Sequence, residues 1–395
     1  VESIEFIDDT WVRRHVSVDF ELPPIAVTTP YRGGDPATYL APLALLGKQG
    51  LRHFDLRDEA GRSMPLLTRD QNVRVAAAAL VSHAQAYLQQ RHGRTLEAEI
   101  AEDLRAIAQT AGPHQEVVDK LFQPDGIARI NRELLARNPR LQTLVGSLAE
   151  NFIVLVPIPG GDRRVIKYAY DEPLPPSRLP WPRRTAEAFG WASSEIVWKA
   201  PSVGLSRSYH LEVEAPRDLE IVGATLLARD GRGQSYVFEH GASGRRSHLF
   251  GDRMPQDAIG TASVILRARR SGLLRAALLL GLLTSTLITI GAFRVHALKS
   301  DPASPVALLA VVPALLAAYL ARPGEHELAS ALMVGVRALV VVVGLAAIAA
   351  AAVIMGDLSV GMARDIWLVL SGASWIATAG LALSYCLPRP SNDNR

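Results

Sequence analysis

Four apolar runs, none containing a charged residue, occupy 276–293, 303–321, 338–355 and 366–387, and nothing comparable precedes Leu273. A helix rises about 1.5 Å per residue, so runs of this length match the roughly 30 Å hydrocarbon core of a bilayer. A backbone in lipid must satisfy its own hydrogen bonds, which makes helices the expected form. The expected fold class is mixed: a β-rich, sandwich-like soluble domain with a helical insertion, followed by a C-terminal four-helix transmembrane domain. The boundaries read as a β-rich segment over 1–71, the helical insertion over 72–150, a second β-rich segment over 151–272, the transmembrane helices over 273–388 and a polar tail over 389–395.

The flanking cations orient the spans. Arg267, Arg269, Arg270 and Arg275 precede the first run, Arg322 and Arg337 lie between the second and third, and Arg389 and Arg395 follow the fourth. The opposite side holds only Arg294, Lys299 and Arg364. Lys and Arg accumulate on the cytoplasmic side, so both termini and the soluble domain are expected there. The opening residues VESIEFIDDTWVRRHVSVDF lack a basic start followed by an apolar stretch and do not read as a secretory signal. One cysteine, Cys386, excludes an intrachain disulfide and a Cys-based zinc site. Together these point to a multi-pass protein of a bacterial inner membrane.

The net charge is only +3, and acids and bases interleave through the soluble part. No basic stripe tracks phosphates, so nucleic acid is not an expected partner. Arginine far outnumbers lysine, which is confined to Lys48, Lys120, Lys167, Lys199 and Lys299; alanine is abundant too, a pattern that fits GC-rich coding.

Period-two alternation predicts a strand where Val16, Val18, Phe20 and Leu22 alternate with polar residues, and Pro23-Pro24 ends it. LRHFDL, the turn around Gly61 and SMPLL predict a hairpin with strands near 51–57 and 63–68. From Asn72, a candidate N-cap, the pattern turns helical as far as Gly93, a candidate stop. Leu96, Ile100, Leu104 and Ile107 share one face of a second helix, and short helices follow to about Glu150. NFIVLVPIP, RRVIKYAYDE, SRSYHLEVEAP, DLEIVGATLLARD, SYVFEHG and GTASVILRARR read as further strands, eight to ten in all. DEPLPPSRLPWP reads as a stiff, extended connector. Trp181, Trp191 and Trp198 fall in the loop-rich stretch after it, where core packing competes with a place at the membrane interface.

No Walker A loop, nucleophile elbow, kinase set or EF-hand appears. His326 opens HELAS but lacks the second histidine at i+4 that a zincin helix needs. His210, His240 and His248 are the candidate metal ligands, since three histidines suit zinc; ordinary strand histidines are the competing explanation, and no cofactor is expected. Gly160–Arg164 and Gly231–Gly233 read as hairpin turns more readily than as phosphate loops. Asp55, Asp58 and Glu59 read as a charged turn. In the spans, Thr286, Thr289, Ser371 and Ser374 are candidates for a pore lining or for close helix packing.

Without a catalytic constellation, the expected role is binding: a sensor, scaffold or regulator that reads a cytosolic ligand or protein at the bilayer, with possible homo-oligomerisation through the spans. An oligomeric channel or pore, formed by the spans of several copies and gated by the soluble domain, is one alternative. A membrane-anchored enzyme using His210, His240 and Glu212 is the other.

Overall fold

The computed structural model describes residues 1–20, 38–48, 52–109, 115–123, 129–159, 163–174, 180–200, 203–204, 208–230, 234–240, 244–255, 258–270, 272–300, 302, 306, 311 and 326–387. They fall into two compact units, Val1–Glu2 with Arg14–Glu172, and Ser3–Arg13 with Pro173–Arg395. The strands β1 (Glu2–Phe6) and β2 (Trp11–Phe20) contribute residues to both.

The first unit continues with β3 (Thr38–Gly47) and β4 (Arg52–Arg57), then the helices α1 (Arg69–His92), α2 (Ala98–Gln109), α3 (Gln115–Phe122), α4 (Arg129–Leu135) and α5 (Pro139–Glu150). It closes with β5 (Asn151–Pro159) and β6 (Arg164–Pro173). Strands before the helical block pair with strands after it: β3 with β5 and β4 with β6, both antiparallel. The register of β3 shifts between Pro42 and Ala44; a proline has no N–H for the ladder, and a bulge accommodates it. Expected strand 63–68 reduces to a single bridge between Arg57 and Ser63. The acidic turn before it is closed locally, with the Arg62 N–H donating to Asp58 Oδ1 at 2.8 Å.

Helix α1 starts earlier than Asn72. Thr68 is its N-cap, and Gln71 returns a bond to the Thr68 N–H, completing a capping box. Asn72 does different work, its Oδ1 accepting from the Leu155 N–H of β5 at 2.9 Å. Gly93 ends the helix at φ +61°, a left-handed conformation that glycine adopts without Cβ strain. Leu80, Leu88, Ile100, Leu104, Ile107 and Leu141 form the core of the block, with Leu45 and Ile153 of the β3–β5 pair packed against it.

Two charged groups, Asp103 and Arg132, are buried inside that block. Arg132 is buried; its guanidinium donates to Glu99 Oε1 and Asp103 Oδ2, each at 2.8 Å, and to the Lys120 carbonyl. Across the sheet, Arg14 bonds Glu2 at 2.7 Å and Glu172 at 2.6 Å. Burial pushes the Glu172 carboxyl above its usual range, and Arg14 works against that shift.

The second unit adds α6 (Trp181–Ala188), β7 (Ser194–Ala200), β8 (Ser208–Glu214), β9 (Leu219–Arg229), β10 (Ser235–His240), β11 (Arg246–Asp252) and β12 (Ile259–Ala268). One sheet runs β10–β9–β12–β7, while β11–β8–β1 make a second row. Both contribute to one hydrophobic cluster that includes Ile4, Phe6, Leu211, Val213, Ile221, Leu226, Leu249 and Val264. The count is twelve strands among the described residues, above the eight to ten expected. The connector ends in a helix at Trp181, and the loop-rich stretch contains β7, whose Trp198 is buried.

The remaining helices are α7 (Leu273–Phe293), α8 (Val295–Ser300), α9 (Glu327–Leu332), α10 (Val334–Met355) and α11 (Val360–Cys386). Three of them, α7, α10 and α11, are long and apolar enough to cross a membrane. That corrects the expected four among the described residues. The run 303–321 lies outside them apart from 306 and 311, as does the tail 389–395.

Arg132 supplies the first test. Replacing a buried guanidinium leaves the Glu99 and Asp103 carboxylates short of a partner, a loss of about 3 kcal/mol. Arg132→Ala is expected to lower the thermal midpoint of the protein clearly in circular dichroism. Arg137→Ala, which removes an exposed pair with Glu133, should leave it unchanged.

Candidate functional site

The last four carbonyls of an α-helix have no partner within it. At the end of α11 those groups meet arginines from β12 and the residues just after it. Arg267 is buried and donates to the Leu387 carbonyl at 3.0 Å and the Ser384 carbonyl at 3.3 Å. Arg270 donates to the Leu387 carbonyl at 2.6 Å and lies over the Tyr385 ring. Cations at a helix C-terminus also oppose its dipole favourably. The sequence marks these arginines as flanking charges; the structure turns two of them inward as caps.

A second contact comes from the segment after α6. Phe189 and Trp191 stack with ring centroids 4.8 Å apart. Trp191 Nε1 donates to the Gly380 carbonyl of α11 at 3.0 Å, and Ser384 Oγ donates to the Phe189 carbonyl at 2.6 Å. Gly190, at φ +70°, turns the chain between the two aromatics. On the other flank Gly335 of α10 lies under the same segment: a Cβ there would stand 2.6 Å from the Ala188 carbonyl oxygen. Only glycine permits that approach.

A third contact is made by His326, the N-cap of α9. Its Nδ1 accepts from the Leu328 N–H at 3.2 Å, so Nε2 carries the proton and donates to the Phe6 carbonyl of β1 at 2.8 Å. Leu328, Ala329, Met333 and Leu273 belong to the same hydrophobic cluster as the sheets. The near ends of α7, α9 and α10 are thus built into the β core, while that of α11 is capped by arginines from it. His326 acts as a cap, not as part of a metal helix.

Between α7 and α11 the interface is a ladder of hydroxyls. Ser285 bonds Ser374 at 2.6 Å and Thr378 at 2.9 Å, and Thr289 bonds Ser371 at 2.7 Å. Trp375 Nε1 adds a bond to Thr289 Oγ1 at 2.9 Å. At each end of the ladder a glycine lets the helices close: Gly281 faces Thr378, and a Cβ on Gly291 would overlap the Trp367 ring. The partners rise on one helix as they fall on the other, so the two run antiparallel. Of the four hydroxyls singled out from sequence, Thr289, Ser371 and Ser374 lie in this ladder; Thr286 is exposed on another face. Ser285, at the centre of the ladder, sits about 100° around the helix from Thr286, a difference that composition does not show.

His210 and His248 come together on neighbouring strands. Their Nδ1 and Nε2 atoms lie 3.2 Å apart, and Phe250 packs on His210 with centroids 4.6 Å apart. Partial desolvation and the neighbouring ring hold His210 below the usual imidazole range. His240 lies on β10, paired with Ala224; its side chain is outside the described set. Among the described residues no three His, Cys, Asp or Glu side chains converge as a metal site. Glu212 stands opposite His248 in the strand register, without a catalytic constellation around it.

Comparison with known protein families, with curated proteins and with solved structures returns no match. The junction of sheet and helix ends is the best-built candidate site on geometry alone.

That geometry is open to a cross-linking test. A Cβ on Gly190 would lie 3.6 Å from Ser384 Cβ, inside the span a disulfide bridges. In a Cys386→Ser background, Gly190→Cys with Ser384→Cys is expected to oxidise to an intrachain bond in native membranes, read by mass spectrometry of the digest. Free thiols after oxidation would show that the segment does not dock on α11.

Proposed function

We propose that this chain is a multi-pass protein of the bacterial inner membrane whose β-rich part, on the cytoplasmic side, binds a ligand or protein partner and passes the bound state to the helices. The observation that carries this is the continuity of sheet and bundle. Arg267 at the end of β12 holds the last turn of α11, while β12 itself runs into α7 within a few residues. A shift of β12 therefore displaces α7 and α11 together, the first and last of the three long apolar helices, which is the property a sensor or regulator needs. In the second unit the two strand rows sharing one core support a β-sandwich as the binding scaffold.

Lys299, just after α7, donates to the carbonyls of Gly356 and Leu358 beyond the far end of α10. His326 and Met333 lie at the near end, against β1 and the β core. The two ends are separated by the 22 residues of α10, about 33 Å of helix.

An oligomeric pore is the weaker reading: three of its four candidate lining hydroxyls, Thr289, Ser371 and Ser374, are taken up in bonds across the α7–α11 interface, and Thr286 alone faces away from it.

The test combines topology and conductance. With Cys386→Ser as parent, single cysteines at Ser63 and Ser300 are probed with an impermeant maleimide in intact cells. Labelling at 300 but not at 63, together with lipid-background conductance of the purified protein in planar bilayers, is the expected result. The opposite labelling pattern overturns the orientation, and channel currents abolished by enlarging Ser374 overturn the sensor reading in favour of a pore.

A further inference from the structure

Helix α6 has two unlike ends. Its last turn is anchored: Gly335 of α10 packs against Ala188, and the Phe189–Trp191 segment bonds α11. Its first turn carries Trp181, Arg183 and Arg184, all exposed; Trp181 is 78 % accessible. A tryptophan exposed to that degree is an unusual use of the most costly side chain to leave in water. Eight residues of helix span about 12 Å, so Trp181 stands about that far along α6 from the turn that packs on Gly335 of α10. Arg267 and Arg270 crowd the same end of the bundle.

Glu187 supplies a further sign. It is buried on the anchored side, its Oε1 has no hydrogen-bond partner, and desolvation lifts its carboxyl above the usual range. Arg183 and Arg184, one turn before it on the same helix, work against that shift.

We propose that α6 is an interfacial anchor whose first turn binds the headgroups of anionic phospholipids, with Trp181 seated at the boundary between headgroup and acyl chain and Arg183 and Arg184 pairing with phosphates. An indole is amphipathic and settles at that depth, and guanidinium groups make charge-assisted bonds to phosphate. This rests on the reading that the long helices cross a bilayer. It adds to it a composition-dependent contact next to the junction: a change of leaflet charge alters the seating of α6, and α6 bears directly on α10 and α11.

The test uses the full chain in nanodiscs of phosphatidylcholine, alone or mixed with phosphatidylglycerol, with bromine on the acyl chains near the headgroup. The fluorescence difference between the parent and Trp181→Phe isolates Trp181, and that between the parent and Trp375→Phe isolates Trp375 on α11. Quenching of both, with Trp181 quenched more strongly in the anionic mixture, is expected. Arg183→Glu with Arg184→Glu is expected to reduce the anionic-lipid preference at least about fivefold, the scale for even one charge near an anionic surface. Quenching of Trp375 without Trp181 overturns the proposal while leaving the spanning helices intact, including the case in which Trp181 is blue-shifted by a protein contact. Absence of quenching at both positions overturns the spanning reading and the proposal with it.

Discussion

The capping of α11 by Arg267 and Arg270 is the interaction from which the arrangement of the second unit follows. Carbonyls at the end of an apolar helix need donors, and here the donors are charged, partly buried and fixed to a sheet. Because Arg267 belongs to β12, and β12 lies inside the four-stranded sheet between β9 and β7, the helix end inherits the position of a strand held on both sides. The stack of Phe189 and Trp191 and the cap at His326 then fasten the neighbouring helix ends to the same scaffold. Three kinds of donor (guanidinium, indole and imidazole) are used within one layer. Each reaches a backbone carbonyl, so the seam depends on where the main chain runs more than on which side chains face it.

Along the bundle the balance differs. Interhelical hydroxyl bonds in apolar surroundings average about 0.6 kcal/mol each; several in register are worth more for alignment than for raw stability. Ser285, shared between Ser374 and Thr378, fixes the axial position of α7 against α11. The glycines at Gly281 and Gly291 set the spacing at which those bonds can form.

Much of this was legible from periodicity and little from motifs. The apolar runs at α7, α10 and α11, the alternation in β2 and β8, and the face made by Ile100, Leu104 and Ile107 all follow from one-dimensional pattern, because each element buries one side. Strand β3 escaped because Pro42 interrupts a run that a bulge accommodates. Helix α6 escaped because prolines upstream of Trp181 suggested extended chain, although Pro182 sits at the first helical turn, where its missing N–H costs nothing. The cap of α1 was misplaced because Thr68 and Asn72 both suit the role, and only the reciprocal Gln71 bond decides between them. The junction itself was invisible for a different reason. Its partners, Arg267 with Ser384 and Phe6 with His326, are separated by more than a hundred residues, and half of each bond is backbone, which has no sequence signature.

The antiparallel pairing of α7 with α11 bears on how the protein is made. Ser285 and Thr289 are synthesised well before their partners on α11. Until Ser371, Ser374 and Thr378 arrive, those hydroxyls can only turn back on their own helix, as Thr289 does toward the Ser285 carbonyl. An incomplete chain therefore leaves a polar stripe uncovered on α7, and completing the bundle conceals it. The ladder that aligns the finished protein doubles as a chemical mark of an unfinished one.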